Sequence, residues 1–103
     1  MKTQWTITKD KIAEPDAKPG TNLNAVGIVG PRGATLTHDE IVNHADAVKF
    51  KMFDDDRDLY YEGVMVVEDY GSEEMFFPLD NFGTPNAGCT ELQYLEDGSW
   101  KTL

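Results

Sequence analysis

The sequence contains very little cysteine and no long hydrophobic run. Cys89 is the only cysteine among 103 residues, which excludes an intramolecular disulfide. A single cysteine fits a reducing compartment, so we expect a cytoplasmic protein. No apolar stretch approaches the roughly 20 residues that a helix needs to cross a bilayer. These absences argue against a membrane protein and against a small secreted scaffold held together by disulfides.

Basic residues are also scarce. The chain has nine Lys and Arg against 19 Asp and Glu, which gives a formal net charge of −10. Residues 54–80 alone contribute −9, whereas residues 1–53 contribute +1 and residues 81–103 contribute −2. Because nucleic acids and anionic membranes would both be repelled, we expect direct contact with neither. A basic protein surface or a divalent cation is the natural complement of this acidic segment.

Sequence motifs for catalysis and cofactor binding are missing. There is no Gly-x-Ser-x-Gly motif and no phosphate-binding loop. His38 and His44 are six residues apart, about 120° around a helix, so they do not share the face that a metal site needs. We therefore expect no enzyme, no cofactor and no metal. One catalytic alternative stays open, in which the fold brings Cys89 near His38 or His44 as a nucleophile and its base.

What the sequence does contain is the pattern of one small sheet-rich domain. The clearest strand runs from Val48 to Phe53, with its apolar residues on one side and its two lysines on the other. A second strand, residues 59–68, is rich in Tyr and Val. The polar residues Asp54–Asp58 between them predict a hairpin with an acidic tip. The pair Asp97–Gly98 predicts another hairpin, because both turn positions tolerate positive φ.

Weaker patterns complete the predicted architecture. Thr37 and Glu40 have the capping-box spacing and predict one short helix at about residues 38–45. Further short strands and two loops follow from alternation and from Pro and Gly: strands at 5–8, 25–29, 75–77, 90–95 and 99–103, and loops at 10–22 and 78–88. The prediction is an α+β fold in a single domain, residues 1–103, dominated by an antiparallel sheet of six or seven short strands. A small barrel is the alternative.

The acidic hairpin tip is the first candidate site. Asp54, Asp56 and Asp58 have the alternating spacing that opens a calcium-binding loop, but Leu59 and Met65 stand where that loop needs Gly and Glu. A looser calcium site formed by the aspartates of the tip remains an alternative: Asp54, Asp55, Asp56 and Asp58. The competing interpretation is a solvated turn that keeps a sheet edge soluble.

The leading hypothesis is a small non-enzymatic adaptor or inhibitor that presents an acidic surface to a basic protein. Its sharpest form is a phage or mobile-element inhibitor that mimics nucleic acid. The predicted contact residues are the acids of the segment and one aromatic residue of the 78–88 loop: Asp54, Asp55, Asp56, Asp58, Glu62, Glu68, Asp69, Glu73, Glu74 and Phe82. Phe82 is predicted either as an exposed anchor or, with Leu79, as a pin that holds the loop to the core.

Overall fold

The computed structural model describes residues 3–21 and 23–103, which form a six-stranded antiparallel sheet with short helical segments. The strands are β1 (Gln4–Asp10), β2 (Val29–Gly30), β3 (Ala47–Phe53), β4 (Leu59–Val66), β5 (Glu91–Glu96) and β6 (Ser99–Thr102). Their order across the sheet is β2-β1-β4-β3-β5-β6. Within the described residues the sheet is open at both edges. The predicted α+β fold is confirmed, and the barrel alternative is wrong.

Both predicted hairpins are present. β3 pairs with β4, so that Phe50 lies opposite Gly63 and Met52 opposite Tyr61. β5 and β6 are joined by Asp97 and Gly98, whose φ angles of 51° and 78° are the positive values that a two-residue turn of this kind requires. Local alternation and turn chemistry therefore set the register of four of the six strands.

The predicted helix is α1 (His38–Val42), and it is shorter than expected at its end. The Glu40 N–H donates to Thr37 Oγ1 (3.2 Å) and the Thr37 N–H donates to Glu40 Oε1 (2.9 Å), which completes the capping box. The helix ends at Asn43, whose backbone leaves the helical dihedral angles (φ −97°, ψ 7°) and whose side-chain Nδ2 donates to the Asp39 carbonyl. Residues 43–45, predicted as helix, are therefore a turn.

The segment predicted as a strand at 75–77 and a loop at 78–88 is helical, and this prediction is wrong. It comprises a 3₁₀ turn (Glu73–Phe76), a π-helical turn (Leu79–Gly83) and α2 (Thr84–Ala87). Ser72 Oγ accepts from the Glu74 N–H and caps the start. Gly88, at φ 73°, ends the segment. Burial of Met75 and Leu79, four residues apart, favours a helix over a strand here.

The region before β2 is also less regular than predicted. Of the proposed strand at 25–29, only Val29 pairs as β-structure, in β2. Ala25 is buried, and its carbonyl accepts from the Ile28 N–H, so the chain turns there. The predicted loop at 10–22 begins one residue later, because β1 continues through Asp10. Asn22 lies outside the described residues.

The sheet has two unequal faces. Its inner face, which carries Trp5, Ile7, Phe50 and Met52, packs against the helical segment at residues 73–87 to form the main core. Its outer face is covered only at one end, where Ile41 of α1 packs on Val64 and Val66. None of the helices in the described part of the chain is long and apolar enough to span a membrane. The rest of the outer face is available for a site.

Candidate interaction surfaces

The β3–β4 turn holds three carboxylates close together. Oxygen atoms of Asp54, Asp56 and Asp58 all lie within 4.8 Å of one another. Asp54 Oδ1 accepts hydrogen bonds from the backbone N–H groups of Asp56 and Asp58, both at 2.9 Å. Both hydrogen bonds lower the pKa of Asp54, and the bond from the Asp58 N–H has the larger effect. Asp54 therefore shapes the turn, while Asp55, Asp56 and Asp58 are exposed to solvent.

The one cation of the turn points away from its acids. Arg57 has a positive φ of 63°, which reverses the chain. Its Nε lies 3.7 Å from Glu91 Oε1 at the start of β5, and its side chain is 82% exposed. The Tyr60 hydroxyl bonds to the Asp54 carboxylate, and this bond raises the pKa of Tyr60. The side chain of Arg57 therefore does not cover the exposed aspartates of the turn.

Four further acids of the segment lie at the other end of the sheet. β4 has eight residues, which at about 3.3 Å per residue span about 26 Å. Glu68, Asp69, Glu73 and Glu74 follow that strand, whereas the aspartate turn precedes it. The acidic segment therefore forms two separate clusters, and the structure does not bring all the predicted contact residues onto one surface.

Two of the predicted contact residues also make contacts within the fold. Glu74 Oε1 accepts from both the N–H and the hydroxyl of Thr3, which is fully buried. Phe82 is half-buried, with its ring centroid 5.5 Å from that of Trp5 and 5.1 Å from that of Tyr61. The Phe82 ring therefore pins the helical segment to the core, which is the second of its two predicted roles.

The cysteine and histidine of the catalytic alternative are not brought together. Cys89 is fully buried in the inner-face core, and burial raises the pKa of its thiol to about 11. His38 Nδ1 lies 2.6 Å from the hydroxyl of Thr6 on the outer face, so the sheet separates it from Cys89. His44 accepts through Nδ1 from the Asp46 N–H in the turn after α1. The hydrogen-bond partners shown for the two imidazoles are therefore Thr6 and Asp46, and not Cys89.

The outer face also holds a groove that no sequence pattern predicted. Its volume is ≈ 430 Å³, and its lining includes Val42, Lys49, Lys51, Leu95 and Trp100. Lys51 Nζ lies 4.2 Å from the centroid of the Trp100 ring. Two patterns in the sequence indicate parts of this groove. The lysines of β3 alternate so that they lie on the outer face, and the Asp97–Gly98 turn places Leu95 opposite Trp100.

Glu62, the last of the predicted contact residues, lies in this groove and in neither acidic cluster. It is opposite Lys9 of β1 on one side and Lys51 of β3 on the other. Its carboxylate is therefore flanked by basic residues across three strands.

No family model, curated protein or solved structure matches this chain. Its chemistry is therefore argued from its own residues. The described part of the chain offers an acidic turn, an acidic cluster at the opposite end of the sheet, and a lysine-lined groove between them.

Proposed function

We propose that this protein is a non-enzymatic interaction protein that docks on a basic surface of a protein partner through the β3–β4 turn. The observation that carries the proposal is the convergence of the turn carboxylates within 4.8 Å. Three of the four aspartates are exposed, and Arg57 leans toward Glu91 instead of covering them. Complementary charges of this kind speed association and fix the orientation of a complex.

Nucleic-acid mimicry is the narrower form of the proposal and makes a stronger demand on the partner. Phosphates along one DNA strand recur about every 3.4 Å. The two acidic clusters here are separated by the length of β4, whose only acid is Glu62, flanked by Lys9 and Lys51. A mimic of this shape would need two basic patches about 26 Å apart on its target. The broader form of the proposal, docking through the turn alone, needs only one basic patch on the partner. We propose that the partner and this protein meet in the cytoplasm.

Two variants of equal charge test whether the turn itself makes the contact. The turn variant carries Asp55→Asn, Asp56→Asn and Asp58→Asn; the far-end variant carries Asp69→Asn, Glu73→Gln and Asp97→Asn. Each removes three charges from the −10 of the wild type, and each leaves Asp54 and Glu74 in their structural roles. Immobilised wild type and both variants are exposed to lysate of the source cell at low salt, and bound proteins are quantified by mass spectrometry across a salt gradient.

The expected result is a basic protein held by the wild type and by the far-end variant, lost from the turn variant, and released by salt. Retention of the same proteins by the turn variant would show that the turn is not the contact. Equal loss from both variants would assign binding to the overall charge instead of the turn. Retention that does not change with salt would contradict an electrostatic interface altogether.

A calcium site at the same turn is the second candidate, favoured by the same three converging carboxylates. Calcium takes six to eight oxygen ligands. Asp54 Oδ1 already accepts two backbone N–H groups, so an ion would draw mainly on Asp56 and Asp58. The test is thermal melting in millimolar calcium. A rise in melting temperature that Asp56→Asn removes supports the site, and an unchanged melting temperature eliminates it.

A further inference from the structure

The groove on the outer face is separate from the acidic turn. Its floor is formed by β3 and β4, with Lys49, Lys51 and Glu62. Val42 of α1 bounds one end, and Trp100 of β6 bounds one side. We propose that this groove binds a small organic anion with a flat apolar body, such as an aryl carboxylate, aryl phosphate or aryl sulfonate.

The size and lining of the groove fit a ligand of that class. Its volume of ≈ 430 Å³ lies within the range of about 300–1,000 Å³ typical of small-molecule sites. Trp100 is 38% exposed although it is a large aromatic residue, and Leu95 beside it is half-buried. Lys51 Nζ lies above the Trp100 ring. A flat body that stacks on this face of the indole therefore takes the place of the Lys51 ammonium over the ring, and its anionic group pairs with that ammonium.

The charge of the groove is opposite to that of the molecule. Glu62 lies in register between Lys9 and Lys51, whereas Lys49 lies opposite the apolar Val64. Neither Lys9 nor Lys49 forms an ion pair within the part of the chain that the structure describes; the ion pairs there are Arg57–Glu91 and Lys101–Glu96. Three lysines against one glutamate leave the groove with a net positive charge.

The acidic ends of the molecule are too distant to cancel this local charge. Along the chain, Asp58 and Glu68 are four and six residues from Glu62, or about 13 and 20 Å in an extended strand. The Debye length at physiological ionic strength is about 8 Å. An anion in the groove is therefore attracted by the lysines at contact distance and only weakly repelled by the acidic clusters.

Titration with a defined anion tests the proposal directly. The probe is 1-anilinonaphthalene-8-sulfonate, added to ¹⁵N-labelled protein and followed by the backbone amide and indole N–H signals. We expect saturable binding, with the largest shifts at Lys49, Lys51 and Leu95 and at the indole of Trp100. The uncharged analogue N-phenyl-1-naphthylamine is the control for apolar binding alone, and we expect it to bind at least about tenfold more weakly.

Charge variants separate the groove from general electrostatics. Replacing Lys49 and Lys51 together with Gln should weaken binding at least about tenfold. Replacing Lys11 and Lys18, in the loop after β1, with Gln makes the same change in net charge and should leave the affinity unaltered. Glu62→Gln removes the anion on the groove floor and should tighten binding several-fold. All these side chains except Glu62 are at most half-buried surface lysines, and melting temperatures verify the fold of each variant.

Four outcomes would overturn the proposal. Binding that does not saturate at millimolar probe, or shifts centred on another hollow such as that lined by Pro15, Ala17 and Leu23, would show that the groove is not the site. Equal weakening by the two double-lysine variants would assign the effect to net charge. Equal affinity for the uncharged analogue would remove the role of the anion.

Discussion

Glu74 accepts two hydrogen bonds from Thr3 through the same oxygen, from the N–H at 3.2 Å and from Oγ1 at 3.1 Å. Thr3 Oγ1 in turn accepts from the Glu68 N–H. These contacts join the start of β1 to the chain that follows β4. One carboxylate of the acidic segment thus supports the fold, while its exposed neighbour Glu73 remains available to solvent.

Glu74→Ala should lower the free energy of unfolding by about 1–3 kcal/mol, because it leaves buried donors of Thr3 without an acceptor. Glu73→Ala is the matched control and should change the free energy by less than about 0.5 kcal/mol. Urea denaturation measures both. Equal effects of the two substitutions would mean that the contact with Thr3 adds nothing to stability.

Asp54→Ala should lower the melting temperature at neutral pH more than Asp55→Ala does, because only Asp54 accepts the turn amides. The pKa of Asp54 is lowered below its ordinary value of 3.8 in the folded protein. Its contribution is therefore fully present above pH 3.8 and lost as the pH falls through the lowered value. Melting curves at several pH values should show the difference between wild type and Asp54→Ala shrinking in acid. A difference that stays constant with pH would contradict this account.

Tyr70 should ionise well above the ordinary range of a tyrosine. Its hydroxyl donates to Glu96, and this bond raises the pKa of Tyr70 to about 12. Glu96 also holds Lys101 at 2.6 Å, and both contacts lower the pKa of Glu96. Glu96→Gln should return the pKa of Tyr70 toward 10.0, measured as phenolate absorbance relative to a Tyr70→Phe reference. An unchanged alkaline titration would show that the bond is not maintained in solution.

Cys89 should not react with thiol reagents in the native protein near pH 8. Burial raises its pKa to about 11, so about one thiol in a thousand is ionised at that pH. Because folding raises the pKa of this thiol, its neutral form makes its full contribution to the free energy of unfolding below the ordinary pKa of 9.0. That contribution is lost as the pH rises through 11. Labelling with and without urea measures its accessibility. Rapid labelling of the native protein would contradict this burial and favour the catalytic alternative.

The elements that the sequence predicted correctly are those with strong local signals. Alternation in β3, the capping box at Thr37 and the Asp97–Gly98 turn each depend on residues within a few positions of one another. Such signals do not report on distant partners. The separation of the acids into two clusters follows from the length of β4. The groove between α1 and the β5–β6 hairpin follows from strand order, which no local pattern contains.

Proline usually breaks a helix, but the two prolines within residues 73–87 do not break this helical segment. Pro78 adopts helical dihedral angles (φ −58°, ψ −39°), and Pro85 lies in the first turn of α2, where its missing N–H costs little. The spacing of Met75, Leu79 and Phe82 indicates a helix, because it places apolar side chains on one helical face. Ser72 as the N-terminal cap and Gly88 as the left-handed stop agree with that interpretation.

The strand order also governs when each part of the sheet can assemble during synthesis. β3 and β4 are neighbours in the chain, as are β5 and β6, so each pair closes over a short turn. β1 lies between β2 and β4. Its Asp10 pairs with Tyr61, which is synthesised 51 residues later. Until the β3–β4 hairpin has emerged from the ribosome, Trp5 and Ile7 have no core to enter. The nascent chain therefore exposes the apolar side chains of β1 until β4 has been synthesised, and in this interval chaperone binding or misassembly competes with folding.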